Sequence, residues 1–125
     1  MARILIAEDE EPLRTLIRRA LAEEGHMVVE TAADGAEALD KLQREGGRFD
    51  LLLADIKMPV MDGLALALAT ARDFPALPIL LMTGFADQRE RASGLEALIS
   101  DVISKPFSVA EIKAAVAAAL AKGKR

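Results

Sequence analysis

Five times along the chain a short run of aliphatic residues gives way to a longer stretch with helical periodicity, and few folds absorb that alternation. The first run, Ile4-Leu5-Ile6-Ala7, is stopped by Glu8-Asp9-Glu10-Glu11. Leu13, Leu16, Ile17, Ala20 and Leu21 then recur at helical spacing, with Pro12 suited to the first turn and Gly25 to the end. Met27-Val28-Val29 reads as a second strand, with the lone His26 before it as a turn or strand-edge residue. Asp34 is placed to cap a helix carrying Ala38, Leu39 and Leu42, which stops at Gly46-Gly47. Leu51-Leu52-Leu53-Ala54 forms a third strand ending at Asp55, and Asp62 precedes a third helix over 64–73. Ile79-Leu80-Leu81-Met82 is a fourth strand ending at Thr83. A weaker helix over 87–98 contains Gly94, and Val102-Ile103 is a short fifth strand before Lys105-Pro106. Ser108 and Glu111 make a capping box for the last helix, whose inward side is Val109, Ile112, Val116 and Leu120.

Strands that are apolar along their whole length are covered on both faces, so the expected class is α/β: a parallel five-stranded sheet between two layers of helices. A chain of 125 residues suits one domain, and no apolar run approaches a membrane span. The absence of Cys removes disulfides, thiolate metal sites and cysteine nucleophiles, and one His cannot build a histidine metal site. A net charge of −4 with no basic stripe argues against direct nucleic-acid binding. The N-terminus is too short in apolar residues for a signal peptide, so a cytoplasmic protein is expected.

The chemistry collects where strands end. Glu8 and Asp9 follow the first strand, Asp55 closes the third, Thr83 the fourth, and Lys105 follows the fifth. In an open parallel sheet ligands bind beyond the carboxyl ends of the strands, so these side chains are expected on one rim. Singly each has a plainer reading as a cap, turn former or surface residue, and Glu10 and Glu11 are read as helix caps. Together, three carboxylates repel unless a hard cation joins them, and an all-oxygen, part-hydrated site suits Mg²⁺. Such a site leaves Asp55 free to attack phosphorus, with Lys105 pairing a phosphoryl oxygen and Thr83 donating a hydrogen bond. A structural Ca²⁺ site is the competing reading, although no calcium-loop spacing is present.

Four segments resemble the response-regulator receiver family in order and separation: Ile4-Leu5-Ile6-Ala7-Glu8-Asp9-Glu10; Asp50-Leu51-Leu52-Leu53-Ala54-Asp55-Ile56-Lys57-Met58-Pro59 with Met61-Asp62-Gly63; Met82-Thr83-Gly84; and Ser104-Lys105-Pro106-Phe107. The resemblance implies a flavodoxin-like (CheY-like) three-layer sandwich with strand order 2-1-3-4-5, comprising a single receiver domain over 1–125 without an output domain. It implies Asp55 as phospho-acceptor and Asp9 as a direct Mg²⁺ ligand. Glu8 acts on the metal through water, and Lys57 contributes its main-chain carbonyl. Thr83 is the switch hydroxyl, Lys105 the phosphate-sensing cation, and the peptide before Pro106 is cis. The implied phosphoryl donor is a sensor histidine kinase or histidine phosphotransfer protein. Output passes to an unnamed protein partner, with the chain a monomer or weak homodimer. The stretches Thr83-Gly84-Phe85-Ala86 and Ser104-Lys105-Pro106-Phe107 also resemble CpdR-type regulators, which are protease adaptors, although 87–101 does not.

Many receivers place an aromatic residue where this chain has Val102, so signal coupling is expected to differ, with Phe85 as a candidate substitute. The resemblance also implies a contact surface over the helix at 87–98, the fifth strand and the last helix, where Arg89, Glu90 and Arg91 lie. In the third helix Leu64, Ala67, Leu68 and Ala71 can share a buried face. Ala65, Leu66 and Ala69 then fall outside it, either as helix-favouring surface residues or as a docking patch centred on Leu66. Three other functions compete. A flavodoxin-like cofactor binder is disfavoured by acids where a phosphate-binding loop would stand. A Mg²⁺-dependent phosphohydrolase lacks an acid at Lys57. A pseudo-receiver binding module sits poorly with a complete Glu8, Asp9, Asp55, Thr83 and Lys105 set.

Overall fold

The continuous apolar runs form five parallel strands in the order β2-β1-β3-β4-β5. The structure, a computed structural model, describes residues 2–25, 27–84, 90 and 92–123, without the side chains of Met27, Val28 and Ser93. The strands are β1 (Ala2–Ala7), β2 (Met27–Ala32), β3 (Leu51–Asp55), β4 (Ile79–Thr83) and β5 (Asp101–Ser104). The helices are α1 (Glu11–Ala22), α2 (Gly35–Arg44), α3 (Gly63–Asp73) and α4 (Val109–Gly123), with a 3-10 turn at Ser93–Leu95. No described helix is long and apolar enough to cross a membrane.

Strand residues alternate between two cores, as the pleat requires. Leu5, Leu52, Ala54, Ile79 and Leu81 face one way, against Ala38 and Leu42 of α2 and Leu66 and Ala67 of α3. Ile4, Ile6, Leu51, Leu53, Leu80 and Met82 face the other, against Ile17 and Leu21 of α1 and Ile112 and Val116 of α4. The expected three-layer sandwich is therefore present, and past Arg3 near the start of β1 the central strands β1, β3 and β4 are apolar up to their carboxyl ends because both faces are covered.

Local signals mostly do what their chemistry suggests. Asp34 Oδ1 accepts from Glu37 N at 2.8 Å, and Asp62 Oδ1 from Ala65 N at 2.8 Å. The Ser108–Glu111 box closes in both directions, at 2.9 and 3.0 Å. The peptide between Lys105 and Pro106 is cis. Glu10 occupies the N-cap of α1 but makes no side-chain cap bond there. Its N–H instead donates to the Glu8 carboxylate.

Four expectations need correcting. Leu66 is fully buried, so it is not a surface docking residue, whereas Leu68, assigned to the buried face, is 50% exposed. At the start of α3, Gly63 lies so close to the end of β3 that a Cβ would stand 2.2 Å from the Asp55 carbonyl oxygen. That close approach is one constraint on the rotation of α3, in which Gly63, Leu64, Leu66, Ala67 and Thr70 are buried. Val109, read as part of the inner face of α4, is exposed at the first turn. β2 runs on to Ala32, because an edge strand tolerates Glu30 and Thr31 beside Leu5 and Ile6. In the stretch expected as a weaker helix, Glu90 and Ala92 are helical and the chain then tightens into the 3-10 turn at the helix-disfavouring Gly94. The readings made for His26, Phe85, Arg89 and Arg91 lie outside the described residues.

Candidate functional site

Register brings the strand ends level. Ala7 pairs with Ala54, Asp55 with Met82, and Thr83 with Ser104. The residues at or just beyond these positions therefore share one rim of the sheet, as the alternation of elements anticipates. Lys105 reaches across it: its Nζ donates to Glu8 Oε1 at 2.9 Å and to Asp55 Oδ2 at 3.0 Å. One carboxylate oxygen each from Glu8, Asp9 and Asp55 lie within 4.8 Å of one another. Thr83 is buried, and its carbonyl accepts from Lys105 N at 2.7 Å, so the hydroxyl residue and the lysine are tied through the backbone. Lys57 lies in the loop after Asp55 with its side chain exposed. Val102 is half-buried and packs at the edge of the core that contains Leu81.

The loops that carry these groups are built on close backbone approaches. Ile56 N donates to Met82 O at 3.0 Å, and Gly63 N returns to Ile56 O at 2.8 Å, so the segment after Asp55 is tied at both ends. Within it Val60 adopts φ +67° and is 85% exposed, a left-handed conformation uncommon for a β-branched residue.

Electrostatics oppose charge at this rim. Burial pushes the Glu8 carboxyl up to about 7, against hydrogen bonds from Glu10 N–H and Lys105 that favour the anion. Burial also raises Asp55, with Lys105 opposing the rise and the Asp9 charge adding to it. For Lys105, burial works against the ammonium, but the bonds to Glu8 and Asp55 outweigh it and hold the pKa above its usual value. Three ionised carboxylates facing one ammonium leave an excess of negative charge in a partly desolvated place. A hard divalent cation with oxygen ligands relieves that excess, so the donor set fits Mg²⁺.

One participant escapes sequence reasoning. Arg14 Nη1 donates to the Glu8 main-chain carbonyl at 2.8 Å. Nothing in the residue types announces this, because the acceptor is backbone.

Residues 4–117 match the family model described as response regulator receiver domain. The response regulator MprA of Mycobacterium avium is 38% identical over 122 residues, covering 98% of this chain and 52% of the relative. The chain spans about half the length of the curated relatives it matches. A CheY-like receiver domain protein from Methanospirillum hungatei superposes with a TM-score of 0.88 at 29% identity, covering 99% of this chain and 97% of that one. The response regulator TrrA of Thermotoga maritima, solved in complex with Mg²⁺ and BeF, superposes with a TM-score of 0.82 at 33% identity, covering 94% and 97%.

Proposed function

The chain belongs to the response regulator receiver domain family of two-component signalling, and we propose from that membership that Asp55 takes up a phosphoryl group and so switches binding to a protein partner. Receiver domains are phosphorylated by histidine kinases and are not enzymes in the ordinary sense. The proposed donor is a phosphohistidine on a sensor kinase or a histidine phosphotransfer protein. The observation that carries the reading is the Lys105 ammonium held between Glu8 and Asp55, with the Asp9 carboxylate beside them.

An Asp55 carboxylate oxygen attacks phosphorus, the phosphorus–nitrogen bond to the donor imidazole breaks, and the imidazole leaves with the bonding electrons. The product is an acyl phosphate on Asp55. Glu8, Asp9 and Asp55, with the Lys57 carbonyl, are the groups proposed to hold Mg²⁺. When bound, that ion neutralises phosphoryl oxygens and lessens their repulsion of the attacking carboxylate. Lys105, already 3.0 Å from Asp55 Oδ2, pairs with a phosphoryl oxygen as a point charge. Thr83 donates its hydroxyl to another, and its carbonyl accepts from Lys105 N, so the two residues are adjacent across β4 and β5. The switch follows because the phosphoryl group favours the arrangement in which both residues contact it.

The test is intact-protein mass after incubation with acetyl phosphate, with Mg²⁺ or with a chelator, beside Asp55→Asn. A gain of one phosphoryl group that needs Mg²⁺ and is missing in Asp55→Asn is expected. A chain that binds Mg²⁺ but gains no mass would instead be a pseudo-receiver.

A further inference from the structure

Glu8 and Asp9 share a peptide unit, and the structure shows unequal hold on their side chains. Every polar group of Glu8 has a partner. Its N–H donates to Ala32 O at 3.1 Å, its carbonyl accepts from Arg14, and its carboxylate accepts from Glu10 N at 3.1 Å and from Lys105. Asp9 is exposed, and its carboxylate accepts no hydrogen bond among the described residues. What aims Asp9 at Glu8 and Asp55 is therefore the peptide that joins it to Glu8.

Arg14 holds that peptide at an electrostatic disadvantage. It stands near the start of α1, where the helix dipole disfavours a cation. Among the described residues no carboxylate pairs with its guanidinium, although Glu10 and Glu11 are close in sequence. Its N–H donates to Glu10 O at 2.9 Å, so the side chain folds back from an anchored turn to reach the Glu8 carbonyl. We propose that Arg14 is a positioning residue for divalent-cation binding: its guanidinium sets the plane of the Glu8–Asp9 peptide and thereby the direction in which Asp9 presents its carboxylate. The inference rests on the reading of the acidic cluster as a Mg²⁺ site.

The sign of the effect separates this role from a merely electrostatic one. A cation near the cluster repels Mg²⁺, so on charge alone its removal tightens binding. Loss of positioning weakens it, by about tenfold if Arg14 acts like other groups that orient metal ligands. The experiment measures the Mg²⁺ dissociation constant by calorimetry for the wild type, Arg14→Met and Arg14→Lys, together with the Glu8 carbonyl carbon resonance of each metal-free protein. Expected for Arg14→Met is an upfield carbonyl shift with binding about tenfold weaker, and for Arg14→Lys an intermediate value of both. Unchanged or tighter binding by Arg14→Met overturns the proposal. If Arg14→Met does not fold, Arg14→Lys decides: a shifted carbonyl with wild-type affinity overturns it, and a shifted carbonyl with weaker affinity supports it. A wild type that binds no Mg²⁺ overturns the reading of the cluster itself, and this proposal with it.

Discussion

Lys105 Nζ sits 2.9 Å from Glu8 Oε1, joining residues 97 positions apart and closing the rim between the first and last strands. The same ammonium also serves Asp55, so one cation balances two buried acids. Neither acid is fully compensated, which is why burial still raises both carboxyl pKa values.

Glu8 should make the protein less stable as pH rises through neutrality. Its carboxyl goes from an ordinary 4.5 to about 7 on folding. Between those values the folded chain holds a proton that the unfolded chain has released. Stability from this group is thus complete below 4.5 and lost as pH climbs through about 7. Urea unfolding without divalent cations should show Glu8→Gln gaining on the wild type between pH 5 and pH 8. Parallel stability profiles for the two proteins would count against the raised Glu8.

Mg²⁺ should reverse that loss. Its binding favours the ionised carboxylates, so below about 7 it must displace the Glu8 proton. At a free concentration a hundredfold above its dissociation constant, Mg²⁺ adds about 2.7 kcal/mol of stability. Scanning calorimetry with Mg²⁺ or with a chelator should show a larger rise in melting temperature at pH 8 than at pH 6, for the same total Mg²⁺. An equal rise at both values would mean that Glu8 does not compete.

Gly63→Ala should damage the site without touching any of its side chains. The new Cβ would lie 2.2 Å from the Asp55 carbonyl oxygen and 2.8 Å from Ile56 Cα, both backbone atoms. Either α3 or the end of β3 must shift, at about 1–3 kcal/mol by analogy with other overpacked substitutions. A lower urea midpoint should be accompanied by slower gain of the phosphoryl mass at saturating Mg²⁺. A folded variant with wild-type stability would show that the helix can slide freely past Asp55.

The strand ends were legible because the fully buried runs 4–7, 51–54 and 79–82 are apolar up to their carboxyl ends, so Glu8, Asp55 and Thr83 mark their own positions. The family segments then supplied the cis peptide before Pro106, which periodicity alone does not reveal. Arg14 was not legible, since a bond to a carbonyl leaves no trace in residue type. The length of β2 was hidden by Glu30 and Thr31, whose polarity an edge strand accepts. The phase of α3 was hidden for a different reason. Leucines at 64, 66 and 68 alternate with alanines at 65, 67 and 69, so nearly every side of the helix is apolar and no stripe stands out. The close approach of Gly63 to the Asp55 carbonyl is one constraint on that rotation, and the buried Thr70 lies on the same inward side.

That rotation can be tested at Leu66 and Leu68, two residues of one type a short way apart on α3. Leu66 has no exposed surface and packs in the core with Ala38, Leu42 and Leu81. Leu68 is 50% exposed. Leu66→Ala should cost about 2–5 kcal/mol, combining lost burial with the cavity left behind. Leu68→Ala should fall within roughly 1 kcal/mol of the wild type, since half of its surface is already in water. Urea denaturation of both variants reads the difference directly. Equal losses, or a larger loss at Leu68, would mean that α3 is turned the other way, with Leu66 facing solvent. The contact that holds Gly63 beneath Asp55 would then have to be given up as well.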